Sequence, residues 1–194
     1  MCHREASLDK DTLSKRLHQV LPQTQCQACG HKDCLSYAQA LANEKDIPDK
    51  CIPGGMDVLK ALCTLLDKDP HPYSALVKAR NTTTQTLSIE PSTCIGCHKC
   101  IPACPTDAIV GAKDYLHQIL PEYCTGCSLC IKACPVDCII PTKNTPSISA
   151  ETSLERYEAK SQRAPSTPKP PSFKNTPAET AKKQRYIAKL LNSS

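Results

Sequence analysis

A cysteine-rich segment occurs twice in this chain of 194 residues, and the second copy begins thirty residues after the first. Residues 94–110 and 124–140 agree at ten of seventeen aligned positions, which include all four cysteines of the first copy. Self-similarity at a fixed offset indicates a duplicated structural unit. The region must therefore fold as two similar halves.

The cysteines are the main stabilising groups that the composition offers. The chain has 15 Cys but only one Phe and no Trp, so a large aromatic core is excluded. The charged first residues do not fit a signal peptide, and no run of about 18 apolar residues predicts a membrane-spanning helix. We therefore expect a cytoplasmic, reducing compartment, in which clustered cysteines bind metal rather than form disulfides.

Each copy reads C-x2-C-x2-C-x3-C-P, with a glycine between the first two cysteines. This is the bacterial iron–sulfur pattern, in which the fourth cysteine ligates the cluster of the other half. Zinc ribbons separate two C-x2-C pairs by a long spacer, so they fit less well. The pattern predicts two [4Fe–4S] clusters. One is assigned to Cys94, Cys97, Cys100 and Cys134, and the other to Cys104, Cys124, Cys127 and Cys130.

A third set of four cysteines has a different spacing, C-x2-C-x4-C-x16-C. Its members are Cys26, Cys29, Cys34 and Cys51. Spacing alone leaves a further [4Fe–4S] cluster and a zinc ion open. Cys63 and Cys138 are expected to be small buried residues, and Cys2 to have no role. His31 and His98 lie inside cysteine loops, but we expect neither to be a ligand because every set already has four thiols.

The pattern of apolar residues predicts an α+β fold with three regions. Helices are expected at 8–21, after Asp33 as cap, and near 55–67, so residues 8–66 form a small helical domain. Residues 67–87 are expected to be a linker. Residues 88–141 are expected to form a ferredoxin-like two-cluster domain of duplicated βαβ-type units. Residues 142–194, rich in Pro and Ser, predict a mostly disordered basic tail with two helix-compatible stretches, 153–164 and 178–191.

The positive charge of the chain lies in this tail. The net charge is +5, and residues 151–194 alone hold nine Lys or Arg against four Asp or Glu. Near the end, basic residues from Lys182 to Lys189 alternate with Tyr186, Ile187 and Leu190. Such a basic amphipathic pattern can lie on an anionic membrane surface. The alternative is a solvated tail that aids solubility.

The combination of motifs resembles the B component of the Rnf (Rsx) ion-translocating electron transport complex. The resemblance rests on "LPQTQCQACGHKDCLSYAQALAN", on "KCIPGG" and on the paired ferredoxin motifs. It implies that Cys26, Cys29, Cys34 and Cys51 hold a [4Fe–4S] cluster, which gives three clusters in all. It also implies electron transfer between ferredoxin and NAD, with other complex subunits as partners on the cytoplasmic face of the inner membrane. Members of the family usually begin with a hydrophobic anchor, whereas this chain begins almost directly at the first cysteine set.

No motif predicts catalysis by side chains. The sequence lacks a G-x-G-x-x-G loop and a P-loop, and no nucleophile–base pair is evident. We therefore expect an electron-transfer protein, either a complex subunit or a soluble polyferredoxin that serves redox partners. A metal-stabilised nucleic-acid-binding protein is the distant alternative, but zinc-ribbon spacing and a stacking aromatic surface are missing, so no nucleic acid is expected. A redox sensor would need a regulatory domain that residues 142–194 are too polar to form.

Overall fold

The computed structural model describes residues 9–80 and 84–163. These residues combine helices with two small sheets, as the predicted α+β class requires. The helices and strands are α1 (Lys10–Val20), α2 (Cys34–Ala42), α3 (Gly55–Leu65), α4 (His71–Arg80), β1 (Leu87–Ile89), α5 (Cys100–Ala103), β2 (Ile109–Val110), β3 (Gln118–Ile119), a 3-10 turn (Pro121–Tyr123), α6 (Leu129–Ala133), β4 (Ile139–Pro141) and α7 (Ala150–Gln162).

Helices α1, α2 and α3 enclose the first apolar core. Leu17 and Leu21, from α1 and its C-terminal end, meet Leu41 of α2 and Leu62 of α3, and all four are almost fully buried. These positions follow helical periodicity, so the apolar pattern predicts most of this core. The predicted cap of α2 is also present, because the Asp33 carboxylate accepts a hydrogen bond from the Ser36 backbone N–H at 2.7 Å.

One large apolar residue of α2 is not buried. Leu35 is 41% exposed, whereas Tyr37 is 1% exposed. The Tyr37 hydroxyl donates a hydrogen bond to the Ile47 carbonyl oxygen at 2.8 Å, which satisfies its polar end inside the core. This bond ties α2 to the segment that carries the fourth cysteine of the first set.

The segment expected to be a linker, residues 67–87, contains α4 and the start of β1. Val77 and Tyr73 of α4 pack on Leu59 and Cys63 of α3. Cys63 is 1% exposed, as expected of a core residue. Helix α4 therefore completes the N-terminal helical unit, which reaches Arg80 rather than residue 66.

The ferredoxin-like region has the order strand, helix, strand in each half, as the duplication predicts. The strands pair between the halves rather than within them: β1 pairs with β4 and β2 with β3, both antiparallel. Each sheet therefore takes one strand from each half. This exchange brings the Cys-Pro end of one half beside the cysteine loop of the other.

Part of the predicted disordered tail is helical. Helix α7 occupies residues 150–162, which overlap the first of the two helix-compatible stretches, but its contacts with both cysteine-bearing regions are not expected from the sequence. The second helix-compatible stretch and the basic amphipathic pattern lie outside the described residues. Among the residues that are described, no helix has the length and apolar character needed to cross a membrane.

Candidate metal centres

The first four-cysteine set surrounds a cavity in the N-terminal helical unit. Cys26 and Cys29 lie in the loop between α1 and α2, Cys34 begins α2, and Cys51 precedes α3. All four line one cavity that encloses about 310 Å³ and is partly open to solvent. The three helices thus bring together residues that are 25 positions apart along the chain.

The backbone of the first loop is shaped to receive an anion. Gln23, Gln25 and Gln27 have φ of 55°, 52° and 59°, whereas the residues between them do not have positive φ. Successive N–H groups in such an alternating backbone form a concave nest that binds anions, iron–sulfur groups among them. The buried Gln25 amide oxygen also accepts the Cys34 N–H at 2.8 Å, which holds the third cysteine against the loop.

The second cavity contains cysteines from both halves of the duplicated region. It encloses about 280 Å³, and its sulfur-bearing lining residues are Cys104, Cys124, Cys127 and Cys130. Cys104 comes from the first copy and the other three come from the second. The Ala108 N–H donates to Cys104 Sγ at 3.2 Å, the type of N–H···S bond that tunes an iron–sulfur centre. The cysteines that line this cavity are therefore the crossed set, with one member from the first copy and three from the second.

The remaining set lies at the other end of the duplicated region. Burial raises the pKa of Cys100, and the charges of Cys97, Cys94 and Cys134 raise it further, so the four thiols are close enough to interact. A fifth sulfur lies beside them, since Cys138 Sγ is 3.4 Å from Cys134 Sγ. Cys138 is buried, as predicted, but its contact with a predicted ligand was not foreseen.

Burial raises the pKa of several of these thiols above the ordinary value of a cysteine. It raises the pKa of Cys34 and of Cys127 to about 11, and the pKa of Cys51 and of Cys130 to about 12. Thiolate is the form that binds metal, so loading these sites must release protons. A cavity lined by four sulfur donors suits a polynuclear anionic iron–sulfur group. Within residues 9–80 and 84–163, no group of three or more Cys, His, Asp or Glu side chains converges on one point at single-ion distances.

The two histidines inside the cysteine loops contact an aspartate and another histidine. His31 Nε2 lies 2.7 Å from Asp46 Oδ2, and the His98 ring packs edge-on against His117. His117 was missed, although it is buried and its Nδ1 lies 3.4 Å from Cys100 Sγ. Its Nε2–H donates to the Ala112 carbonyl oxygen at 3.2 Å, which sets the orientation of the ring. No sequence signal marks His117 beyond its place between the two copies.

Two family models match the regions that carry these cysteines. A "4Fe-4S dicluster domain" matches residues 87–140, and a "Putative Fe-S cluster" model matches residues 21–53. Curated relatives named as the B component of an "Ion-translocating oxidoreductase complex" are 42% identical over 117 residues in Erwinia tasmaniensis and 46% identical over 110 residues in Pseudomonas aeruginosa. The resemblance to the B component is confirmed.

The aligned regions cover only part of each protein. The match to the Erwinia tasmaniensis B component covers 60% of this chain and 61% of the relative, and the match to the Pseudomonas aeruginosa B component covers 57% and 56%. A third B component, from Buchnera aphidicola, is 38% identical over 57% of this chain and 66% of its own length. The chain thus spans between half and two thirds of the length of these relatives.

A glycine in the dicluster domain allows a direct test of the second centre. Gly126 has φ of +69°, and a Cβ there would lie 2.6 Å from the Gln85 carbonyl oxygen. We expect Gly126→Ala to displace the loop from Cys124 to Cys127 and to lower the iron content of the purified protein. The matched control is Gly30→Ala, which has φ of +86° but meets no atom within 4 Å. That control should cost only the left-handed strain of about 1–2 kcal/mol. Equal iron in both variants would contradict the prediction.

Proposed function

We propose that this chain is an iron–sulfur electron-transfer protein that acts as the B-type component of an ion-translocating oxidoreductase. The observation that carries the proposal is the second cavity, in which one cysteine of the first copy joins three of the second. Crossed ligation of this kind belongs to two-cluster ferredoxins, whose function is to carry electrons. We infer the type of complex from the names of the relatives, which are components of an ion-translocating oxidoreductase complex.

The ligands that we propose follow the three sets. One [4Fe–4S] cluster is held by Cys26, Cys29, Cys34 and Cys51. A second is held by Cys94, Cys97, Cys100 and Cys134. A third is held by Cys104, Cys124, Cys127 and Cys130. Three clusters in one chain provide a relay rather than a single redox centre.

The protein contributes ligation, burial and hydrogen bonds, and it performs no bond-making chemistry of its own. When bound, each cluster accepts and returns one electron. The Ala108 N–H on Cys104 Sγ places a donor beside the sulfur atom, where it favours the more negative, reduced state. Cys104 is itself buried, with 7% of its surface exposed.

The partners that we propose are the other subunits of the complex and the redox proteins that exchange electrons with it. The chain is then peripheral to the cytoplasmic face of the inner membrane. A soluble polyferredoxin outside any ion pump is the alternative. Co-purification of the tagged chain from gently solubilised membranes separates them, because only the complex component brings integral membrane subunits with it.

The test of the electron-transfer proposal is the metal content of protein purified without oxygen. We expect about twelve irons and about twelve acid-labile sulfides per chain, because three four-thiol sets each fit one [4Fe–4S] cluster. Cys26→Ala should lose about four irons, whereas Cys63→Ala should lose none, since Cys63 lies in the helical core away from the cavities. Colourless protein with stoichiometric zinc would refute the proposal.

A further inference from the structure

Helix α7 presents polar side chains of one face to both cysteine-bearing regions. Ser153, Arg156, Tyr157 and Lys160 follow the i, i+3, i+4, i+7 spacing of a single helix face. Their side chains form hydrogen bonds with residues outside α7, up to 130 positions away along the chain. This face therefore binds α7 to the rest of the protein, as expected of a docked helix and not of a solvated one.

Two of these side chains bind the N-terminal unit. Ser153 is 1% exposed, and its hydroxyl donates to the Gln23 carbonyl oxygen at 2.6 Å. The Tyr157 hydroxyl donates to Asp33 Oδ2 at 3.2 Å, and the other oxygen of this carboxylate caps α2. Both contacts fall on the loop that lines the first cavity.

A chain of hydrogen bonds extends this contact to a predicted ligand. The Gln23 side-chain oxygen accepts from the Gln25 amide at 3.0 Å, and the Gln25 oxygen accepts the Cys34 N–H at 2.8 Å. Gln23 and Gln25 are each 2% exposed, so these bonds are shielded from water. Movement of α7 would therefore disturb the mouth of the first cavity.

Arg156 binds the ferredoxin-like region. Its Nε–H and Nη2–H donate to the carbonyl oxygens of Thr106 and Asp107 at 2.7 Å and 3.1 Å. Its guanidinium carbon lies 3.8 Å from the centre of the Tyr123 ring, a cation–π arrangement. Thr106 lines the second cavity, so Arg156 holds part of its wall.

Lys160 binds next to a predicted ligand of the second cavity. Its ammonium donates to the carbonyl oxygens of Ile101, Pro102 and Cys104, at the end of α5, and lies 3.2 Å from Asp107 Oδ1. Its charge is near enough to interact with those of Cys104 and Cys127. A positive charge at this place favours the more negative state of a bound cluster.

The two cavities approach each other beside α7. Thr24 lines the first cavity and Thr125 lines the second. The Thr125 hydroxyl donates to the Thr24 carbonyl oxygen at 3.3 Å, so one hydrogen bond joins the two walls. The third set does not line either of these cavities.

From these contacts we propose that α7 fixes the N-terminal unit against the ferredoxin-like region, so that electrons pass between the first cysteine set and the crossed set that contains Cys104. The set that contains Cys94 is then the far end of the relay. Arg156 and Lys160 are positioning residues, and Lys160 also raises the reduction potential of the cluster held by the crossed set. The electron route rests on the proposed function, whereas the bridging contacts of α7 do not.

The test compares amide hydrogen exchange in full-length, anaerobically purified protein. The variant is Arg156→Gln with Lys160→Gln, since glutamine keeps helix propensity and removes both charges. The matched control is Lys113→Gln with Lys143→Gln, which removes the same charge from two positions outside α7. We expect amides of α7 and of residues 23–25 to exchange about tenfold faster in the variant but not in the control. Unchanged exchange in the variant would overturn the bridging role.

The second measurement is the midpoint potential of each cluster by EPR-monitored titration. The cluster whose signal disappears in Cys127→Ala should become harder to reduce in Lys160→Gln, and Lys160→Arg should restore its potential. A potential that is the same in Lys160→Gln and in Lys143→Gln would overturn the charge effect.

The electron route is tested by the magnetic coupling between clusters, which the same EPR spectra report. The bridge between the first and the crossed set predicts that magnetic coupling between those two clusters weakens in the Arg156/Lys160 variant. Unchanged coupling would overturn the route. Wild-type protein without iron would refute the proposed function, and hydrogen exchange would still decide whether α7 bridges.

Discussion

Cys104→Ala is expected to lose about four irons per chain, and the EPR spectrum that remains should match that of Cys127→Ala rather than that of Cys97→Ala. Cys104 is only seven positions from Cys97 and 23 from Cys127. It nevertheless lines the cavity of Cys124, Cys127 and Cys130. Comparing whole spectra avoids any need to assign a signal to a cluster beforehand.

The reciprocal experiment requires two substitutions. Cys134 is the crossed ligand of the other set, but Cys138 Sγ lies 3.4 Å from its sulfur and offers a replacement thiol. We expect Cys134→Ala to retain more iron than Cys134→Ala combined with Cys138→Ala, whose spectrum should match that of Cys97→Ala. The single Cys138→Ala control should keep all its iron. If Cys104→Ala instead matched Cys97→Ala, ligation would be local and the crossed assignment would be wrong.

The second large effect concerns where the N-terminal unit ends. A fragment of residues 1–80 is expected to be soluble and to hold about four irons, whereas a fragment of residues 1–69 should precipitate or lose its iron. Val77 and Tyr73 of α4 cover Leu59 and Cys63, which the shorter fragment would expose to water. Exposing one such buried side chain costs about 1.5–3 kcal/mol, a large share of the stability of a unit this small.

Both fragments contain the complete first cysteine set, so ligand number does not differ between them. Iron per chain, the amount of soluble protein and the thermal melting curve would be measured for each. Within the longer fragment, Val77→Ala serves as a milder version of the truncation and should lower the melting temperature. Equal solubility and equal iron in the two fragments would show that α4 is dispensable.

Which cysteines line the two cavities could be predicted, because iron–sulfur motifs have short, characteristic spacings. The cap of α2 at Asp33 and the apolar core around Leu17 and Leu62 likewise follow from local rules. Helix α4 could not be foreseen in the same way. Tyr73 and Val77 are its residues in the apolar cluster with α3, and prolines at positions 70 and 72 suggest a loop.

Residues 153–164 are compatible with a helix in the sequence, but the contacts of α7 with the rest of the protein could not be predicted, for a different reason. Most of its bonds to the rest of the protein run from Arg156, Lys160 and Ser153 to backbone carbonyl oxygens, which no sequence pattern identifies. A polar helix in a Pro-rich, basic segment therefore has the pattern of solvated chain. The positive φ of His98 and Ser128 was missed as well, since only the paired Gly96 and Gly126 indicate a turn.

The place of α7 along the chain has a consequence for the order of biosynthesis. A ribosome completes the first cysteine set and then both copies of the duplicated segment before residues 150–162 emerge. Because domains fold as units while the chain is being made, each cysteine-bearing region can fold before α7 is available to contact it. The contacts of Ser153 and Lys160 can therefore form only after both cysteine-bearing regions have been synthesised. Docking of α7 is thus the last of these contacts to form as the chain is made, and until then the two regions are not held together by it.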